Sequence, residues 1–245
     1  MPSGVCPRPV FTAFGILRNA GLPPGVINVV CDRSDRFVGE LCDNLDVTGV
    51  VASGCGKAIE DMMFLSVNDG LRFVNEVKGM NPVVVQSPGD YAKAAVTILD
   101  SASLNSGAGL YACSKVLVRA EESGDLLAAI TEKLKDMRVG DPTQADIAMG
   151  PLSGGRAEKR FLKVMEENGR YLVYGGRKIS SDADGRYYSP VLLTGFEDED
   201  DTLYEDKGVP MVIIRPYASL DALMQELSET DCGLSVGLLT TDSKV

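Results

Sequence analysis

Residues 82–118 read PVVVQSPGDYAKAAVTILDSASLNSGAGLYACSKVLV. The stretch opens on a β-branched run, PVVVQ (82–86), and closes on another, SKVLV (114–118). Between them, DYAKAAVTILDSASL (90–104) carries its apolar residues at helical spacing. Short valine-rich runs without polar alternation suit strands buried on both faces. Two parallel strands need a crossover, so strand, helix, strand predicts one unit of a parallel sheet. The loop before the second strand holds two glycines and one cysteine, Cys113.

The same alternation extends in both directions. Downstream come a helix over 124–137, a polar loop over 139–155 and a helix from Arg156. Strands near 171–174 and 188–193 follow, then the acidic run FEDEDDTLYEDK (196–207), which reads as a solvated loop. VPMVIIRP (209–216), a helix over 219–228 and GLSVGLLTT (233–241) finish the pattern. Upstream, a helix over 8–21 stops at Gly21 before Pro23 and Pro24. GVINVV (25–30), VTGVV (47–51) and LRFVNEV (71–77) read as strands. DRFVGELCDNL (35–45) and a stretch from near Lys57 read as the helices between them.

The fold class predicted is α/β with a parallel sheet, of which PVVVQ, SKVLV, VPMVII and LSVGLL are strands. KGMNP (78–82) interrupts two apolar runs and marks a boundary between residues 1–78 and 79–245. TTDSKV follows the last apolar run with no further helix, although a parallel sheet needs both faces covered. On that ground the chain reads as part of something longer.

Composition excludes several function classes. With a formal charge of −11, most of the surface would repel nucleic acid or an anionic membrane. Histidine is absent, so no Ser-His-Asp or Cys-His dyad and no imidazole metal site can form. Cys6, Cys31, Cys42, Cys55, Cys113 and Cys232 are scattered without a CxxC pair, which suggests neither a zinc site nor a disulfide framework. A reducing compartment, the cytoplasm, is the expectation. MPSGVCPRPVFTAFG has no secretory-signal pattern, and no apolar run has bilayer length.

Five segments in order, AGLPPGVINVV (20–30), GMNPVVV (79–85), ACSKVLV (112–118), VGDPTQADIAMGPLSGGRAEKRF (139–161) and YYSPVLL (187–193), resemble the aldehyde dehydrogenase superfamily. The resemblance covers essentially the whole chain. It implies a partial Rossmann-like NAD(P)-binding lobe over 1–78 and most of a catalytic lobe over 79–245. It also implies that the family's N-terminal Pro-Trp-Asn oxyanion segment, its C-terminal Pro-Phe-Gly-Gly segment and its last oligomerisation strand lie outside these residues. The family reaction oxidises an aldehyde to an acid with NAD or NADP through a cysteine thioester. A thiolate attacks the aldehyde, and a backbone amide with an asparagine stabilises the oxyanion. Hydride passes to the nicotinamide, and a glutamate then activates water.

Each role maps to a position. The family's Glu-Leu-Gly-Gly-Lys falls on EVKGM, which places Glu76 as the general base, with Lys78 and Met80 departing from the pattern. Glu76 also reads as an ordinary polar residue at a strand end. The nucleophile motif, Gly-Gln-x-Cys-x-Ala with a basic residue five positions later, is registered by Gly107, Ala112 and Lys115. The nucleophile position is then Leu110, and Ala108 stands where the glutamine would be. Cys113, three residues on, reads as a buried cysteine entering the strand, with a displaced nucleophile as the alternative.

The cofactor segments depart similarly. The ribose-binding Lys-Pro-Ser-Glu falls on MPSG, with Met1 and Gly4 at the two ligand positions. The phosphate-contacting Gly-Ser-Thr falls on Gly54, Cys55 and Gly56, which also suits a plain strand-to-helix turn. Glu205 occupies the nicotinamide-ribose position, with Lys207 replacing the aromatic. The expectation is a family member with weak dinucleotide binding and impaired or absent activity, paired with itself or another protein across open sheet edges. Alternatives are an active NAD(P)-dependent aldehyde or semialdehyde dehydrogenase, and an incomplete gene product without independent function.

Overall fold

The structure is a computed structural model that describes residues 6–31, 40–41, 43–44, 46–54, 71–77, 79–179, 185–197, 200, 207–229 and 234–242. The chain divides into two compact units, Met1–Glu76 and Val77–Val245.

In the first unit, α1 spans Arg8–Asn19 directly after Pro7. Its exit is fixed by Gly21 at φ 97°, which lets the Leu22 N–H return to the Leu17 carbonyl, 3.1 Å away. Strands β1 (Gly49–Gly54) and β2 (Arg72–Val77) form a two-stranded sheet. The expected strand over 25–30 does not form. The Val26 N–H turns back to the Pro23 carbonyl at 3.4 Å, and Val26, Ile27 and Val30 are exposed. Among the described residues no strand pairs with this run, and an extended segment without a neighbour leaves its backbone unsatisfied. The helix expected over 35–45 falls mostly outside the described residues, as do the one expected from Lys57 and most of the acidic run.

The second unit is built on a six-stranded sheet. Its strands are β3 (Val83–Val85), β4 (Lys115–Arg119), β5 (Leu172–Gly175), β6 (Val191–Thr194), β7 (Met211–Tyr217) and β8 (Gly237–Leu239). Their spatial order is β5-β6-β7-β4-β3-β8, parallel throughout except at the β5–β6 pair. PVVVQ and SKVLV therefore lie side by side, with Val83 opposite Val116. VPMVII joins the other edge of SKVLV, and LSVGLL joins the far edge of PVVVQ. The strand expected over 188–193 starts later, at Val191, because Pro190 has no N–H to offer the ladder.

Helices α2 (Tyr91–Ala102), α3 (Ser123–Asp136), α4 (Gly155–Asn168) and α5 (Leu220–Ser228) cover the sheet. Strand alternation distributes the core between the faces. Val85, Val116, Val118, Leu192, Val212 and Ile214 pack with Ile98 of α2 and Leu126 and Ile130 of α3. Val191, Leu193, Met211 and Ile213 pack with Phe161 and Val164 of α4, while Leu117 meets Leu223 of α5. Asp90 starts α2 by accepting the Lys93 N–H at 3.0 Å, and Ser219 starts α5 by accepting the Ala222 N–H at 3.2 Å.

Among the described residues one core position is charged. Lys115, at the start of β4, is fully buried and ion-paired with Glu226 of α5. Arg215 of β7 stands 3.6 Å from the other Glu226 oxygen and donates to the Phe196 carbonyl at 2.8 Å. Burial pushes the Lys115 ammonium below its usual range, against the opposing pull of Glu226. Removing one partner of such a pair strands the other charge in the core. Glu226→Ala should therefore lose about 3 kcal/mol in denaturant unfolding, and Lys115→Met combined with Glu226→Leu should recover most of it. A loss below about 1 kcal/mol for the single variant would show that solvent screens the pair.

Candidate active-site loop

Position 110 lies between α2 and β4, in a loop that no regular ladder supports. Three successive residues, Asn105, Ser106 and Gly107, hold left-handed backbone at φ 52°, 54° and 80°. Glycine enters this region freely and asparagine fairly easily, whereas serine needs an external tie. The Ser106 hydroxyl supplies one, donating to the Gly150 carbonyl at 3.0 Å. At Gly107 an added Cβ would lie 2.1 Å from the Val209 carbonyl carbon, so the loop passes directly over the entry to β7.

Beyond Gly107 the chain closes on itself. The Ala108 N–H donates to Asn105, Gly109 to Leu104 and Ala112 to Gly109, at 3.0–3.1 Å. The Leu110 side chain is half-buried, and among the described residues its N–H meets no acceptor. A leucine there offers neither a nucleophile nor a proton to exchange; what remains is a backbone donor.

Cys113 differs in kind. It is 2% exposed and packs with the α2–α3 core. Its N–H donates to the Ser101 hydroxyl at 3.2 Å, and its thiol donates to the Lys115 carbonyl at 3.3 Å. It precedes β4 by two residues rather than lying within it.

Leu110 and Cys113 are thus neighbours on one loop of the second unit. Glu76 lies half-buried on β2, and Gly54 ends β1 of the first unit's sheet. Cys55, Gly56 and Glu205 lie outside the described residues. Of the assigned dinucleotide positions only Gly54 is described, and one glycine backbone does not make a cofactor site.

One residue at this loop carries no role in the motif reading. Asn81, within GMNPVVV, is 3% exposed, and its carboxamide nitrogen reaches the carbonyls of Leu110 and Ala112 at 3.0 and 3.3 Å. Its sequence signal is a polar amide directly before a proline and a buried strand. The residue before a proline is expected in extended backbone, yet Asn81 has φ 42°.

Residues 2–245 match the model of the Aldehyde dehydrogenase family, and the chain belongs to that family. It is 27% identical to lactaldehyde dehydrogenase of Escherichia coli K12, over 100% of this chain and 51% of that protein. It is 26% identical to α-ketoglutarate semialdehyde dehydrogenase of Haloferax volcanii, over 98% of this chain and 51% of that one. The crystal structure of an NAD-dependent aldehyde dehydrogenase from Sinorhizobium meliloti superposes with a TM-score of 0.90 at 22% identity. That likeness covers 99% of this chain and 49% of the other, and it establishes the aldehyde dehydrogenase type of α/β fold. A solved lactaldehyde dehydrogenase gives 0.86 at 25% identity, with 99% and 51% covered. The chain spans about half the length of these relatives.

The loop depends on Gly107 for both its backbone sign and its clearance. Gly107→Ala should cost roughly 2–5 kcal/mol from left-handed strain and overpacking together, read as a lowered unfolding midpoint. Gly124→Ala, where an added Cβ meets nothing within 4 Å, should be close to neutral by comparison.

Proposed function

We propose that this chain is a member of the aldehyde dehydrogenase family whose cysteine chemistry is impaired or absent. The observation that carries this reading is Leu110, registered between Gly107 and Lys115 at the nucleophile's position. A leucine cannot add to an aldehyde carbonyl. Loss of a nucleophile costs on the order of a millionfold in kcat where it has been measured in a hydrolase. Glu76, in the general-base position, could then assist at most a slow hydration.

The burial of Cys113 supports the same reading. A thiol buried in the core and directed at the Lys115 carbonyl is not accessible to an aldehyde. We assign residues 1–78 to a partial dinucleotide-binding lobe and 79–245 to a catalytic-type lobe. When bound, NAD or NADP would supply hydride acceptance. Gly54, Cys55, Gly56 and Glu205 are the positions assigned to it, and the departures at Met1 and Gly4 support weak binding. Several relatives are named for oxidation of aldehydes, which makes an aldehyde the substrate class of any residual activity. Among the described residues strands β5 and β8 are the sheet's edges, and Val236 beside β8 and Leu238 within it are exposed, which supports pairing with a second copy or another protein. A cytoplasmic setting agrees with cysteines scattered without a CxxC pair.

The purified protein should produce no NAD(P)H from short aldehydes above a protein-free control, and Cys113→Ala should leave that baseline unchanged. Turnover lost in Cys113→Ala would overthrow the register and restore a working dehydrogenase. Calorimetric titration should give dissociation constants above the micromolar range for both dinucleotides. Each lost charge-assisted hydrogen bond removes about 1.5–3 kcal/mol, so two remove at least about a hundredfold in affinity.

A further inference from the structure

We infer that Asn81 is the positioning residue of the 105–113 loop, and that Ser235 sets its carboxamide from the segment leading into β8. A single amide nitrogen reaches three carbonyls, those of Gly79, Leu110 and Ala112, at 3.0, 3.0 and 3.3 Å. Its oxygen accepts the Ser235 hydroxyl at 3.1 Å. The amide therefore has its orientation fixed, because a flip would aim its oxygen at three carbonyl oxygens and its nitrogen at Ser235.

The bonded carbonyls flank position 111, where the loop has no ladder of its own. Ser114 completes the tie from the same strand entry, its N–H and hydroxyl both donating to the Met80 carbonyl at 3.0 Å. Residues 80–81 thus hold the loop at 110, 112 and 114. The other end of the link is equally fixed, since the Gly237 N–H donates to the Pro82 carbonyl at 2.9 Å. A buried amide with this many partners is replaced by a hydrocarbon only if several carbonyls lose their donor. Both bonds from Asn81 to the loop end on backbone carbonyls, so they act whichever side chain stands at 110. The inference therefore does not rest on the reading of catalytic loss.

Cys113 provides a native reporter, because it is buried one residue beyond the clamped Ala112 carbonyl. Its reaction with dithiodipyridine, followed by peptide mass analysis, measures opening of the loop, and the exposed Cys6 and Cys31 serve as internal controls. In the full chain, Asn81→Ala should speed Cys113 labelling at least about tenfold while Cys6 and Cys31 keep their rates. Asn81→Asp keeps the shape and the Ser235 bond but removes both donors at neutral pH, so it should open the loop comparably. Protonating that carboxyl at acidic pH restores one donor, and the Asp variant should then approach the wild-type rate measured at the same pH. Leu223→Ala, which weakens the separate cluster under α5, controls for general destabilisation and should leave Cys113 protected. If neither Asn81 variant folds, Ser235→Ala decides, with an expected increase of at least about threefold. Unchanged Cys113 labelling in the folded variants, a pH-independent Asp variant, or equal acceleration by Leu223→Ala would each overturn the inference.

Discussion

Strand β4 is paired on both edges and buried on both faces, and the arrangement of the second unit follows from that. Val116 lies opposite Val83 of β3 and Ile214 of β7, and no backbone group there can reach water. The chain must therefore enter β4 at a fixed height and direction. The loop that delivers it has little freedom, and its left-handed residues, its glycine over Val209 and its ties to Met80 and Asn81 are the means of delivery. A parallel strand in the middle of a sheet imposes geometry on the turn before it, and here that turn contains position 110.

The sheet was legible because its strands are short apolar runs and its crossovers have helical spacing. PVVVQ, SKVLV, VPMVII and LSVGLL all join one sheet, and the first three are largely buried while LSVGLL leaves Val236 and Leu238 exposed. GVINVV has the same composition and is not a strand, since a sequence run carries no information about whether a neighbour exists to pair with it. Composition predicts the capacity for a strand; pairing decides the outcome.

At the loop, legibility followed a different division. Gly107 and Lys115 were visible as the anchors of a motif, although nothing in the sequence indicated that Lys115 would be wholly buried and paired with Glu226, far away in the chain. Asn81 was visible only as part of a matching segment. Local rules assign extended backbone to a residue before proline, and the actual conformation depends on carbonyls about thirty residues away and a hydroxyl beyond β7. Long-range hydrogen bonds to backbone leave no pattern in sequence, because every residue type offers the same carbonyl.

That property explains how chemistry and fold can separate in this protein. Gly107 acts by having no Cβ, Ser106 bonds the Gly150 carbonyl, and Asn81 bonds the carbonyls of 110 and 112. None of these contacts involves the side chain at 110. Lys115 and Glu226 act behind the strand, on its α5 face. A substitution at 110 therefore leaves the interactions that shape the loop in place. A half-buried leucine there adds apolar contact, so stability demands no polar side chain at 110. The positions that fix the loop's shape are the ones that bear on the backbone. The glycine and the buried cation that frame position 110 carry the loop's geometry, and the leucine between them carries none of it.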